Sequence, residues 1–308
     1  MRAIVIYHRA DYDGVFCYQI AKKFLPPDTE FVGWDHGDPP VKPTADFNAV
    51  YILDLPADKP LGIAPERLTG CTNLIWIDHH KSAIETHPTD IRGYRIDGVA
   101  ACRLTWQWFQ CCDGNWAAPR SSAMAPAGVL PQKQDYINRT VEEPMAVQLA
   151  GEYDVWDHRS PDSAVFQFGL DSTDLDSTVW SELLDRKAFG IFAALLERGR
   201  NAQRCYAKRD ADIMAHRSFT CEWEGLKWLC LNTARCNSNT FAAGVTPEVD
   251  ALMGFYWNGS TWTVSLYHAP HRTDLDLSTI AVKYGGGGHR GACGFQVKGR
   301  KFGLPFSW

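Results

Sequence analysis

The sequence has no run of about 18 apolar residues, so hydropathy gives no membrane-spanning helix. It has no surplus of basic charge: 31 Lys and Arg stand against 36 Asp and Glu, for a formal net charge of -5. A general electrostatic grip on long duplex nucleic acid is excluded, and any phosphate ligand must be held by a local site. No CxxC pair occurs, although the 308 residues include 10 cysteines. The cysteines are scattered among apolar neighbours, as in AACRLTW and LKWLCLN. Structural zinc and a disulfide framework therefore yield to buried, reduced thiols in a cytoplasmic protein. Hydrophobic residues make up 45% and charged residues 22% of the chain, which excludes global disorder. The start, MRAIVIYHRADYDG, turns acidic after a short apolar run and reads as a first strand, not a signal peptide.

The pattern predicts an α/β protein. Residues 2–7, 30–34, 49–54 and 73–78 have the apolar, β-branched character of buried strands. Residues 14–25, ending at Pro26-Pro27, and 99–111 have helical periodicity. This alternation implies a mostly parallel sheet with helices on both faces, and a site at the carboxyl ends of the strands. Residues 113–134, rich in Ala, Pro, Ser and Gly, read as a loop or insertion, and a helix is expected over roughly 138–151. A charged helical stretch serves as connector over 181–216, between a domain spanning 1–180 and a smaller α+β domain spanning 217–308. In that smaller domain, Glu224-Gly225 and Asn258-Gly259 mark tight turns between strands.

Chemistry-bearing residues gather at the expected strand ends. The first strand runs into His8-Arg9-Ala10-Asp11-Tyr12-Asp13-Gly14, the third into Asp54, and the fourth into Asp78-His79-His80. For any one of them a plainer role is available, such as Asp13 capping the next helix. Three in the first motif, and two adjacent histidines in the last, favour metal ligation. Farther on, Gly151-Glu152-Tyr153-Asp154-Val155-Trp156-Asp157-His158 offers several acids. Asp154 is preferred because it ends an apolar helix, but spacing alone does not separate it from Asp157 or Glu152. The carboxylate–imidazole set, free of thiolates, suits manganese first, then magnesium, cobalt or iron. Six ligands exceed what one catalytic ion needs, so two ions sharing one carboxylate fit the count better.

Near the C-terminus, Tyr284-Gly285-Gly286-Gly287-Gly288-His289-Arg290-Gly291-Ala292-Cys293-Gly294-Phe295 lies between a short helix and a strand. Glycines let backbone N–H groups converge on an anion, and His289 and Arg290 can add charge-assisted hydrogen bonds. Phosphate binding by Gly286, Gly287, Gly288, His289 and Arg290 is preferred to a flexible tether. Arg272 is a weaker candidate for the same pocket.

In order, HRADYDG, Asp54, IDHH, Asp154 and GGGGHRGACGF resemble the DHH phosphoesterase superfamily, in the branch with a C-terminal DHH-associated substrate domain that includes nanoRNases and oligoribonuclease-like enzymes. The resemblance covers nearly the whole chain. It implies that His8 and Asp11 hold one manganese ion, that Asp13, His79 and Asp154 hold the other, and that Asp54 bridges both. It further implies that Asp78 orients the histidines, that His80 faces the scissile phosphate, and that the glycine segment with His289 takes the substrate's phosphate end. Two positions depart from the family pattern: Val155-Trp156 follows Asp154 where a small residue and Gly are usual, and Tyr267-His268 follows Ser265-Leu266 where an arginine is common.

The expected activity is manganese-dependent hydrolysis of a short oligonucleotide, a linear or cyclic dinucleotide, or a nucleoside bisphosphate to mononucleotides, with a two-metal-activated hydroxide attacking phosphorus. Aromatic residues could stack the bases, and the chain could form a homodimer. Three alternatives stand beside this: a pyrophosphatase or polyphosphatase, a single-strand exonuclease of the RecJ kind, and a non-catalytic nucleotide-sensing module.

Overall fold

A computed structural model describes residues 2–43, 47–110, 142–157, 159–171, 173–174, 178–185, 189–234 and 236–299. The chain divides into two compact units, residues 1–202 and 203–308, and the division falls inside one long helix, Phe189–Arg217.

The first unit is built on a parallel sheet of β1 (Ala3–His8), β2 (Glu30–Trp34), β3 (Ala49–Leu53) and β4 (Leu74–Ile77), in the order β2-β1-β3-β4. β1, β3 and β4 are short apolar runs because both faces of the sheet are covered, and alternation sends successive residues to opposite sides. Val5, Tyr7, Tyr51, Leu53, Ile75 and Ile77 share a core with helices α1 (Tyr12–Phe24), α4 (Ala101–Gln110), α5 (Met145–Asp154) and α6 (Asp162–Leu170). Ile4, Ile6, Val50, Ile52, Leu74 and Trp76 enter the core on the other face. There they meet residues from around α2 (Asp58–Leu61), a 3₁₀ turn at Pro65–Leu68, and α3 (Lys81–Thr86). Burying each such side chain stabilises the fold by about 1.5–3 kcal/mol.

α1 starts at Asp11, whose carboxylate accepts the Gly14 N–H at 2.9 Å, and it stops at Leu25 ahead of Pro26-Pro27. The cap is thus Asp11, not Asp13. α5 begins at Met145, later than the 138–151 expectation, because Pro144 sits before it with extended ψ; residues 138–141, like the 113–134 insertion, lie outside the described residues. Described residues of the 181–216 stretch lie mostly in two helices, α7 (Val179–Leu183) and α8 (Phe189–Arg217).

The second unit is a six-stranded mixed sheet in the order β5-β6-β7-β8-β10-β9. Its strands are β5 (Ser218–Trp223), β6 (Leu226–Asn232), β7 (Ala251–Trp257), β8 (Thr261–His268), β9 (Gly287–His289) and β10 (Ala292–Lys298), with helix α9 (Ser278–Lys283) preceding β9. Glu224 and Gly225 both take positive φ, 51° and 74°, as a two-residue hairpin turn requires. The glycine run is not an open loop: Gly287–His289 pairs antiparallel with Ala292–Gly294. A Cβ on Gly286 would lie 2.0 Å from the Gly294 carbonyl oxygen, so the missing side chain first serves close backbone packing.

Among the described residues all eight cysteines are free thiols. Cys17, Cys102 and Cys230 are buried as expected, but Cys205 is exposed on α8. No described helix is long and apolar enough to cross a membrane.

Gly14 fixes how closely α1 approaches β1, because a Cβ there would stand 1.9 Å from the His8 carbonyl oxygen. Gly14→Ala is expected to lose about 1–3 kcal/mol in urea unfolding, and an unchanged midpoint would contradict this packing.

Candidate metal centre

The carboxyl ends of β1, β3 and β4 lie side by side, since Tyr7 pairs with Leu53 and Leu53 with Ile77. Each strand delivers its donors there. His8 closes β1, and Asp11 and Asp13 follow at the start of α1. Asp54 leaves β3 in the left-handed region, φ 59°, which Asp tolerates better than most residues. Asp78, His79 and His80 leave β4, and Asp154 comes from the last residue of α5.

Within the first unit, Asp54, Asp78 and His80 form one group of donors, and two further groups contain the other expected ligands. His8, Asp11 and Asp54 offer ligand atoms within 4.8 Å of one another, and so do Asp13, His79 and Asp154. Asp54 faces both groups with different oxygens: Oδ2 lies 3.4 Å from His8 Nδ1, and Oδ1 lies 3.3 Å from His79 Nε2. His79 Nε2 is also 3.5 Å from Asp13 and 3.3 Å from Asp154, and His8 Nδ1 is 2.8 Å from Asp11. The alternatives to Asp154 are engaged elsewhere. Glu152 accepts from Gln148 and the Ser160 N–H, and Asp157 pairs with Arg159. His158 lies outside the described residues.

Neighbouring backbone holds the set in place. Asp13 is buried and accepts the N–H groups of Ala101 (2.8 Å) and Cys102 (2.7 Å), in the first turn of α4. Asp78 takes the N–H groups of His79 and His80 on one oxygen, and that oxygen also lies 2.6 Å from His80 Nδ1. Asp78 therefore orients both histidines, and with Asp54 and His80 it also makes up a donor group of its own. Beneath β4, Arg95 is buried against Trp76 and donates to the carbonyl oxygens of Trp76 and Ile91.

The electrostatics show a deficit of positive charge. Burial alone would push His8 down, but Asp11 and Asp54 outweigh it and raise its pKa to about 11. His79 is likewise raised against the effect of burial by Asp154, Asp54 and Asp13. Burial pushes Asp13 well above the usual carboxylate range, with Asp54 and Asp154 adding to it. Burial pushes Asp154 up to about 7, with His79 opposing. Asp54 would rise on burial too, but His79 and His8 hold it below the usual range. His80 is raised by Asp78 against burial.

Two imidazoles thus face four carboxylates. Both oxygens of Asp54, Oδ2 of Asp154 and Nδ1 of His8 are buried with no partner in hydrogen-bonding geometry. Buried acceptors in that state are costly unless a cation completes them. The chemistry of these donors suits divalent ions: His8, Asp11 and Asp54 could hold one, and Asp13, His79 and Asp154 another.

The C-terminal candidates are placed differently. Arg272 is paired with Asp250 and Asp274. Arg290 donates to the carbonyl oxygens of Leu275 and Asp274. Both guanidinium groups thus serve the second unit's own structure. His289 ends β9 opposite Ala292.

Two residues near the metal centre are missing from the sequence expectations. Asp35 and His36 leave β2, with Asp35 Oδ1 3.6 Å from His8 Nε2 and the His36 ring 5.9 Å from that of His8. The signal is present in Trp34-Asp35-His36, an acid and a histidine at a strand end as at β4, but the expectation there covers only the strand.

No family model matches the chain, and no curated protein matches it. Solved structures do. One, described as the DHH domain of a member of a family of ribosomal proteins, superposes with a TM-score of 0.51 at 12% identity, covering 96% of this chain and 82% of that one. The chain shares the fold of that domain. RecJ from Thermus thermophilus in complex with Mn2+ gives a TM-score of 0.47 at 13% identity, over 96% of this chain and 49% of that one. A pGpG-specific phosphodiesterase, PggH, from Vibrio cholerae gives 0.42 at 15% identity, over 97% and 94%. At 12% identity the likeness to the first is one of fold, and the chemistry of this chain must be argued from its own residues.

Because the raised groups hold protons in the metal-free protein, an ion must displace them. The sign follows: Mn2+ affinity falls as pH drops through the Asp154 value of about 7. Calorimetry in buffers of different ionisation enthalpy should register proton release on binding, and its absence would count against this ligand set. An ion at 100 times its Kd should stabilise the fold by about 2.7 kcal/mol, read as a rise in Tm that chelator reverses.

Proposed function

We propose that the chain is a metal-dependent phosphoesterase that hydrolyses short oligonucleotides, dinucleotides or nucleoside bisphosphates to mononucleotides, with two divalent ions, manganese first and magnesium or cobalt as substitutes. The observation that carries this reading is Asp54. One buried carboxylate sends its two oxygens to two separate imidazole–carboxylate groups. Bound there, the ions would supply an activated water and neutralise phosphoryl charge.

The chain's own residues do the rest. Asp13 is locked by the Ala101 and Cys102 amides, so its carboxylate keeps its aim as charge changes nearby. With Asp78 beside Nδ1 of His80 the imidazolium form is favoured, and in that form Nε2 would donate to a phosphoryl oxygen or to the departing oxygen. The preference for short substrates is supported by the net charge of -5, which gives no general attraction for a long strand. Gly286–Gly288 and His289 stay in the proposal as the contact for a substrate's phosphate end. Arg272 and Arg290 are weaker there than expected, because carboxylates and carbonyl oxygens already occupy them.

Asp54→Ala should lose both ions in metal analysis and lower turnover of a dinucleotide to that of the chelated wild-type protein. Normal metal content in that variant would overturn the two-ion reading. His80→Ala should retain the metal and lower kcat by about 10²–10⁴-fold. A panel graded by length, from pyrophosphate through dinucleotide to long single strands, checks the substrate class. Phosphate released from pyrophosphate without mononucleotide from a dinucleotide would replace the nuclease reading with a pyrophosphatase.

A further inference from the structure

The exit of β2 is a built turn beside the metal centre. The Asp38 N–H donates to the Asp35 carbonyl oxygen at 3.0 Å, and Gly37 takes φ 102° at the third position, as a type II turn needs. The Asp38 carboxylate closes the turn by accepting the Asp35 N–H at 2.9 Å. Arg9, the residue after His8, pairs with Asp38 at 2.7 Å and donates to the Gly33 carbonyl oxygen at 2.9 Å. The turn is thereby tied to the end of the strand that presents His8. Within it, Asp35 Oδ1 accepts the His36 N–H at 2.6 Å and lies 3.6 Å from His8 Nε2. The other ring nitrogen of His8, Nδ1, faces Asp11 and Asp54.

We propose that Asp35 is a positioning residue that holds the His8 ring with Nδ1 turned to the first ion site; this rests on the two-ion phosphoesterase reading. A neutral imidazole can offer a lone pair at one nitrogen only when its proton sits on the other. A carboxylate at that second nitrogen fixes both the tautomer and the ring rotation, and makes the ligating nitrogen a better donor. The Arg9–Asp38 pair keeps Asp35 in place. His79 gets its orientation differently, from the Asp78-bound turn at the end of β4, so loss of the Asp35 carboxylate acts on one ion and spares the other.

Calorimetric Mn2+ titration of the whole chain tests this. Wild-type protein is expected to bind two ions. Asp35→Ala weakens one of them by about 10–100-fold and leaves the second unchanged. Asp35→Asn, which keeps an oxygen facing Nε2 but not the charge, loses less. The metal-free Tm of the three proteins coincides. Wild-type protein that binds two ions and an Asp35→Ala variant that binds both equally well overturn this inference alone. A metal-free Tm that drops in Asp35→Ala shows a merely structural role and overturns it as well. Wild-type protein that binds no ion overturns it together with the phosphoesterase reading.

Discussion

Everything at this site depends on the burial of Asp54. It is 1% exposed, leaves β3 in a left-handed conformation, and has no hydrogen-bonding partner on either carboxylate oxygen. An ionised carboxylate withdrawn from water costs several kcal/mol unless opposite charge meets it. Here that charge is His8 on one side and His79 on the other, and those imidazoles are themselves shared with Asp11, Asp13 and Asp154. Protons alone balance the cluster only by leaving Asp13 and Asp154 with raised pKa values. Two divalent ions would balance it with every carboxylate ionised.

The fold makes so costly an arrangement tolerable by committing backbone to it. The amides at the start of α4 hydrogen-bond Asp13, and the turn after β4 wraps its own N–H groups around Asp78. Gly14 and Gly93 let chain segments approach β1 and β4 more closely than any side chain would allow; a Cβ on Gly93 would stand 1.8 Å from the Trp76 carbonyl oxygen. Arg95 fills the same layer and satisfies carbonyl oxygens beneath the site. The donor side chains are thus held by the protein itself, as a preorganised site would require.

Much of this was legible residue by residue. Apolar runs gave the strands of the parallel sheet. His8, Asp54 and Asp78-His79-His80 stood out because polar donors ended those runs. The hairpin at Glu224-Gly225 was legible from turn chemistry. Other features had no local signal. Nothing in Ala101-Cys102 marks it as the anchor of Asp13, because two backbone amides of ordinary residues do the work. The cap of α1 went to Asp11 rather than Asp13, since the helix begins earlier than the apolar periodicity. The glycine run looked like an anion loop, yet Gly287–His289 pairs as a strand, because glycine also suits close contact between neighbouring backbones. Arg272 and Arg290 looked available until Asp250 and the Asp274–Leu275 segment were folded next to them.

By itself the sequence determined which elements form and which donor types sit at their ends, because strand burial, capping and turn formation are settled within a few neighbouring residues. Tertiary structure alone decided which donors stand together. Residues 8, 54, 79 and 154 meet only after three parallel strands are laid in register and α5 is packed beside them. Glu152, Asp154 and Asp157 differ in surroundings for the same reason: their chemistry is nearly equal, and only the direction each faces from the end of one helix separates a neighbour of His79 from a buried brace and an ion pair with Arg159.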